Sequence, residues 1–446
     1  MKAKWLPISA AVAIALSSAS AFAADNSWEF HGYGRLGGQW NGDGASKMNT
    51  LGKPDYRTVT SMDENSNQVE IQAKKRTQVK GNVYGDFVTR AEYGNQNAGD
   101  VGYFVSSEGS LQSQRKDAQF ELKEAYIEMG GFDFLGSDTK IWAGQRYLNR
   151  QQGLLSKEFW KQSSGVGAGV QVGTAGFAVV SADQASQIRN GDSFADANKN
   201  KTMTSFDAYY YGVQGGPLGG SFDFDLKYMK QANTNDKDGT VVNGNYITGA
   251  EDGIGGAITY NRNYYGFKGW SQTAVAYGQG MATNRGVNFG SWNGVFGKDS
   301  SALFVTSYGV AEITPKFQLG SEVTYWAPQH LSWGNDVDVT RLLVALQPSY
   351  KINDNLRAIF TGSYADEGVK DQAGAAQWGR KDTHTQFYAL EAAVAFTVDS
   401  DYFGRPQIKP FVNWVSTSDK NAAGGIGIDN GDKSEMFYGV EAEVWF

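Results

Sequence analysis

The chain has 446 residues with 40 basic and 47 acidic side chains, no cysteine, 8 prolines, 56 glycines, 23 Tyr, 25 Phe and 12 Trp. Without cysteine there is no disulfide framework and no thiolate metal site or nucleophile, and the acidic balance argues against nucleic acid or other phosphates as the main partner. The runs of Leu, Ile and Val that a soluble core of this size would carry are scarce, so the glycine and aromatic richness calls for another architecture.

At the start, Lys2 and Lys4 precede an apolar stretch from Leu6 to Leu16, then Ser17 to Ser20 and the small-residue motif Ala21-Phe22-Ala23. This is the layout of a signal peptide over residues 1–23, cleaved after Ala23; the apolar run is too short to cross a bilayer as an anchor. Its removal leaves 38 basic against 47 acidic residues, a net charge of −9.

From there on, short segments alternate apolar and polar residues, the period of a strand with one greasy and one wet face. In the first, Phe30, Leu36 and Trp40 share one parity and Glu29, His31, Tyr33, Arg35 and Gln39 the other, so Tyr33 and Arg35 are expected to face a lumen. Such segments fall at 29–40, 67–80, 84–94, 118–130, 138–148, 166–173, 177–184, 202–214, 220–231, 254–264, 270–280, 301–313, 316–328, 339–351, 356–366, 384–398, 405–417 and 434–446, eighteen in all. In the last, Met436, Tyr438, Val440, Ala442, Val444 and Phe446 oppose Phe437, Gly439, Glu441, Glu443 and Trp445. Connections alternate between long polar ones, such as 41–66, 95–117, 232–253, 281–300 and 418–433, and short ones, such as Thr314-Pro315 and Asn353-Asp354-Asn355. That pattern predicts an all-β protein: one transmembrane antiparallel β-barrel over 24–446, with long loops outside and short turns in the periplasm of a Gram-negative outer membrane. A barrel of about 16–18 strands is wide enough for an aqueous channel.

Chemistry is sparse. His31, His330 and His384 lack metal-ligand neighbours at helical spacing, and no glycine pair sits in a strand-to-helix phosphate loop. Glu441 and Glu443 read as solvated wall charge rather than an acid/base pair. No enzyme activity, metal ion or cofactor is expected.

Several stretches resemble the maltoporin family of sugar porins: Phe30-His31-Gly32-Tyr33-Gly34-Arg35 its first strand, Ile141 to Arg146 with Arg150 and the close on Ser164 to Gly169 its strand running into an inward-folded constriction loop, and Glu441 to Phe446 its last strand. The resemblance runs from first strand to last and implies a homotrimer of 18-stranded barrels in outer-membrane lipid. It also implies facilitated diffusion of maltose, maltodextrin or a related oligosaccharide, with a periplasmic sugar-binding protein as a candidate partner. A sugar ring packs its apolar face on aromatic side chains while its hydroxyls exchange water for charged partners.

Carried over by position, Tyr33 and Trp445 match aromatics of the sugar track, and one of Phe267 or Trp270 matches its periplasmic end. The competing account of each is an interfacial girdle residue. Arg35 and Arg150 match polar-track residues directly, Lys123 stands for an arginine, Glu70 fits a glutamate, and Arg57 is a candidate in the longer first loop. In the constriction, Gln152 and Lys157 replace aspartates and Phe159 replaces a narrowing tyrosine, with Trp160 beside it, both expected to contact the sugar, and Lys161 added; Gln68 and Ile352 occupy expected aromatic positions. These departures point away from maltodextrins toward other sugars, anionic ones included. The alternative is a non-specific or anionic-solute diffusion porin whose long external loops serve as a phage or adhesion receptor.

Overall fold

The computed structural model describes residues 27–42, 57–61, 68–78, 81–94, 119–183, 202–231, 240–242, 245–247, 250–289, 297–331, 337–428 and 431–446. The expected signal peptide, 1–23, lies outside them. Eighteen strands build the barrel. The first six are β1 (Trp28–Asn41), β2 (Gln68–Gln78), β3 (Tyr84–Gly94), β4 (Gln119–Gly130), β5 (Thr139–Gln152) and β6 (Phe159–Val172). Then follow β7 (Ala175–Asp183), β8 (Thr202–Gln214), β9 (Ser221–Gln231), β10 (Asp252–Arg262), β11 (Lys268–Gly280) and β12 (Ser301–Thr314). The last six are β13 (Phe317–Gln329), β14 (Val339–Asn353), β15 (Leu356–Val369), β16 (His384–Thr397), β17 (Gln407–Thr417) and β18 (Ser434–Trp445). Each expected segment corresponds to one of them.

Every strand pairs antiparallel with its sequence neighbour, and β18 returns to β1 with Tyr33 opposite Trp445 and Leu36 opposite Ala442. Closure matters because hydrocarbon offers no partner for an unpaired N–H or C=O, so a membrane-spanning sheet must have no edge. The side-chain alternation follows. On β9, Phe222, Phe224, Leu226 and Tyr228 point out while Asp223, Asp225, Lys227 and Met229 are buried inside. On β18, Met436, Tyr438 and Val440 are exposed and Glu435, Phe437, Glu441 and Glu443 are not.

The largest difference from the sequence reading is at β5 and β6, both longer than expected. Their outer halves pair with each other, Leu148 opposite Ser163 and Gln151 opposite Lys161, after β5 has left β4 at Gln145 and before β6 meets β7 at Val166. Hydrogen bonding to each other rather than to the wall keeps these residues extended, where the sequence suggested loop. Asn288 and Phe289 line the far edge of β6 in parallel.

Two local devices sit where β5 departs. Lys123 is the extra residue of a β-bulge, since Arg90 faces Glu124 and Ala91 faces Leu122, and Gln145 Nε2 donates to the Leu122 and Lys123 carbonyls at 3.1 Å each. Gly144 has φ +132, and a Cβ there would press into the Ala125 carbonyl oxygen. A side chain at such a backbone position is strained by about 1–3 kcal/mol before the clash is counted. Gly144→Val is therefore expected to slow assembly, measured as a reduced share of heat-modifiable folded barrel on unboiled gels.

Candidate functional site: the inner wall of the barrel

The Tyr33–Trp445 pair lies on the inner face, both rings half-exposed. Arg405, from the turn after β16, stacks its guanidinium carbon 4.4 Å from the Trp445 ring centre and donates from Nε to Glu443 Oε2 at 2.5 Å. The Tyr33 hydroxyl stands 3.5 Å from the other oxygen of Glu443. One step along the wall, Arg35 Nε donates to Glu441 Oε2 at 2.8 Å and Lys409 Nζ lies 3.1 Å from Glu441 Oε1. Two aromatic faces are thus edged by a row of paired charges. Buried carboxylates need such cations to offset their desolvation.

The turn carrying Arg405 is itself shaped by buried contacts. Arg357 donates to the Tyr402 carbonyl and to Gln407 Oε1 at 2.6 Å each, and the Tyr402 hydroxyl donates to Gln347 at 2.6 Å. Burial pushes the Tyr402 phenol up. Burial also works to raise the Asp401 carboxyl, but hydrogen bonds from Gln318 and Lys351 outweigh it and hold Asp401 below the usual carboxylate range. The turn thereby presents Phe403 to Trp270, ring centres 6.3 Å apart and stacked, with Tyr308 edge-on to Trp270 at 6.1 Å.

The turn joining β5 to β6, residues 153–158, meets β13. Leu155 N and Ser156 N donate to Glu322 Oε2 at 2.6 and 3.0 Å, and Ser156 Oγ donates to Oε1 at 2.5 Å. Glu158 pairs with Arg285 from the connection after β11, and Leu155 packs with Val59, Leu343 and Phe387. Between these anchors Lys157 holds φ +58 and is half-exposed, within electrostatic reach of Glu443. Behind the turn, Arg150 lies 3.9 Å from the Phe159 ring centre and 4.5 Å from that of Tyr147. Lys161 binds Asp225 at 2.5 Å.

A second charged stretch covers β2 to β5. Arg90 joins Glu70 and Glu124 at 2.7 and 2.6 Å, Lys123 Nζ lies 4.0 Å from Glu92, and Arg146 contacts Glu128 at 3.1 Å. Residues 57–61 of the first loop lie against the opposite wall, where Arg57 reaches Glu367 at 2.9 Å and Ser61 N donates to Glu391 at 2.6 Å. Among the described residues no group of three or more His, Cys, Asp or Glu side chains is placed to hold a metal ion.

A closed barrel whose inner face carries charged side chains and exposed aromatic rings has the form of a channel, and the family model described as LamB porin matches residues 28–446. The chain belongs to the LamB porin family. It is 26% identical to Maltoporin 1 of Klebsiella pneumoniae and 22% identical to a maltoporin of Vibrio cholerae, each comparison covering 98% of both chains. Among solved structures, the outer membrane channel DcaP of Acinetobacter baumannii aligns over 95% of this chain and 98% of its own, with 13% identity and a TM-score of 0.44. This LamB porin is a multi-pass outer-membrane protein, a porin and not an enzyme.

The fold brings Tyr33, Trp445 and Arg35 onto one stretch of the porin's wall, and Glu70 and Lys123 onto another. Arg150 and Phe159 stack, and Gln152 is the register partner of Phe159. Trp160, expected to contact the sugar, instead has no exposed surface: its ring packs on Phe304 at 6.2 Å and its Nε1 donates to the Tyr308 hydroxyl at 3.3 Å. Of the two aromatics left in balance, Trp270 turns inward to Phe403, while Phe267 stands 54% exposed in the preceding turn. Ile352 lies 45% exposed at the end of β14, on the parity of the outward Leu346 and Tyr350; the side chain of Gln68 is outside the described set. Phe403 escaped the sequence reading because a turn residue carries no alternation to give its direction, and Arg405, expected to open the segment 405–417, lies in the turn before β17 at Gln407. The only signal was an aromatic pair, Tyr402-Phe403, in an otherwise polar connection.

Proposed function

We propose that this LamB porin passes a sugar, maltose, maltodextrin or a related oligosaccharide, by facilitated diffusion along its inward-facing aromatic rings. The observation that carries this reading is the Tyr33–Trp445 pair, half-exposed on the inner wall and edged by Glu441, Glu443, Arg35 and Arg405. A pyranose lays its apolar face on such a ring while its hydroxyls replace lost water by bonding to the flanking charges. Each contact is weak, so the sugar moves on rather than blocking the channel. The turn 153–158 serves as the constriction, with Gln152, Lys157 and Phe159 at its rim, and Trp160 stiffens it from behind. Phe403 and Trp270 extend the track toward the periplasmic end, and Arg150, Lys123 and Glu70 supply polar partners elsewhere on the wall. In the membrane the protein works as a homotrimer and hands its sugar to a periplasmic binding protein.

Planar-bilayer conductance titrated with maltodextrins, sucrose, a β-glucoside and a sugar acid tests the reading. Saturable block by one class is expected. Tyr33→Ala and Trp445→Ala should each weaken block about three- to tenfold, the loss of one aromatic contact, without changing the yield of folded barrel. A second reading, non-specific diffusion, draws support from Trp160, an expected track residue with no surface to offer a sugar. Ohmic conductance that no sugar blocks would favour it.

A further inference from the structure

We propose that Lys157 is a specificity-determining residue that makes the channel favour anionic sugars, such as uronate-containing oligosaccharides, over neutral ones. This rests on the sugar-porin reading above and goes beyond it by naming the substrate class.

The first ground is how Lys157 is held. Its neighbours are both committed: Ser156 is buried and bonded to Glu322, and Glu158 is buried and paired with Arg285. Only Lys157 of the three keeps exposed surface, and its φ of +58 puts it in the left-handed region that lysine rarely adopts. A backbone fixed on both sides sets the direction in which the side chain leaves the turn, while its flexible stem keeps the ammonium mobile. It acts through space on Glu443, the carboxylate bonded by Arg405 beside the Trp445 ring.

The second ground is the charge around the aromatic pair. Glu441 and Glu443 are faced by Lys157, Arg405 and Lys409, with Arg35 on Glu441 as well. Four cations, Arg35 among them, thus act on these two carboxylates. Arg405 and Lys409 each have a carboxylate within hydrogen-bond range, whereas Lys157 reaches Glu443 only through space. A ligand that carries its own carboxylate on a ring with an apolar face would satisfy both halves of this arrangement, the ring on Tyr33 or Trp445 and the acid near Lys157. A neutral sugar satisfies only the first half. Inside a narrow, partly desolvated channel such a charge acts more strongly than at a surface and still responds to salt.

The test uses the full-length channel in planar bilayers at low salt, comparing block by trigalacturonate and maltotriose, with inorganic chloride gradients to read ion preference. Trigalacturonate is expected to block at roughly tenfold lower concentration, the gain of one charge-assisted contact. The reversal potential should show anion preference. Lys157→Gln should shrink the difference to about threefold or less while Lys157→Arg retains it. In the unaltered protein the difference should narrow as salt is raised, a readout that does not depend on any variant folding. Equal block by both trisaccharides, or a difference that ignores both salt and Lys157→Gln, would overturn the proposal and leave the sugar porin standing. Anion preference without block by either sugar would overturn both.

Discussion

Glu322→Ala is expected to raise single-channel conductance, increase open-channel noise and weaken sugar block by roughly tenfold or more. The carboxylate accepts three hydrogen bonds from the turn 153–158, two of them from the backbone N–H groups of Leu155 and Ser156. A hydrogen bond to a buried acceptor contributes about 0.5–1.5 kcal/mol, and removing the acceptor leaves the buried donors orphaned at about 1–3 kcal/mol each. The barrel itself should persist, because the substitution changes only the side chain and leaves the backbone of residue 322 in the ladder, opposite Tyr308 of β12 and Ala345 of β14. What loosens is the turn, held then by Glu158 on Arg285 and by the packing of Leu154 and Leu155. Glu322→Gln, which keeps one accepting oxygen, should fall between. Conductance and block both unchanged in Glu322→Ala would mean that the turn lies off the path of permeating solute.

Glu367→Ala should be the most destabilising single change on the wall. Its side chain has no exposed surface and is contacted by Arg57, Arg341 and Arg380, with Trp378 Nε1 donating to it at 3.0 Å. Removing the carboxylate leaves three guanidinium groups facing one another with reduced solvent access, a change that costs about 3–5 kcal/mol when a buried pair is broken from one side. The expected result is a clearly lower temperature for conversion from the folded to the unfolded gel band. Faster proteolysis near residues 57–61 should accompany it, since Arg57 ties that segment to the wall. An unaltered transition would show that the cluster is solvated well enough for water to replace the carboxylate.

Much of this protein can be read from its sequence because a membrane barrel obeys a simple rule at every strand. Lipid outside and water inside force period-two alternation, so the segments 84–94, 202–214 and 434–446 could be drawn from residue types alone, and the parity of Tyr33, Arg35 and Trp445 followed from their neighbours. Alternation of long and short connections led to the expected sidedness, and membership of the LamB porin family, rather than any missing motif, makes the chain a porin.

The tertiary structure decided what alternation does not encode. The outer halves of β5 and β6 keep strand geometry while leaving the wall, because they satisfy their backbone groups on each other and on Asn288 and Phe289. A sequence that no longer separates lipid from water gives no sign of this. Trp160 and Trp445 are both tryptophans suited to a sugar, yet one is sealed against Phe304 and the other is left half-open; only the packing across the barrel separates them. The partners of Glu322, Glu367 and Glu443 come from segments far apart in the chain, and Phe403 and Arg405 take their direction from a turn fixed by Arg357 and Asp401. Local physics in the sequence specified which face of each strand is wet, while the charges and rings that meet on that face were chosen by long-range closure of the barrel.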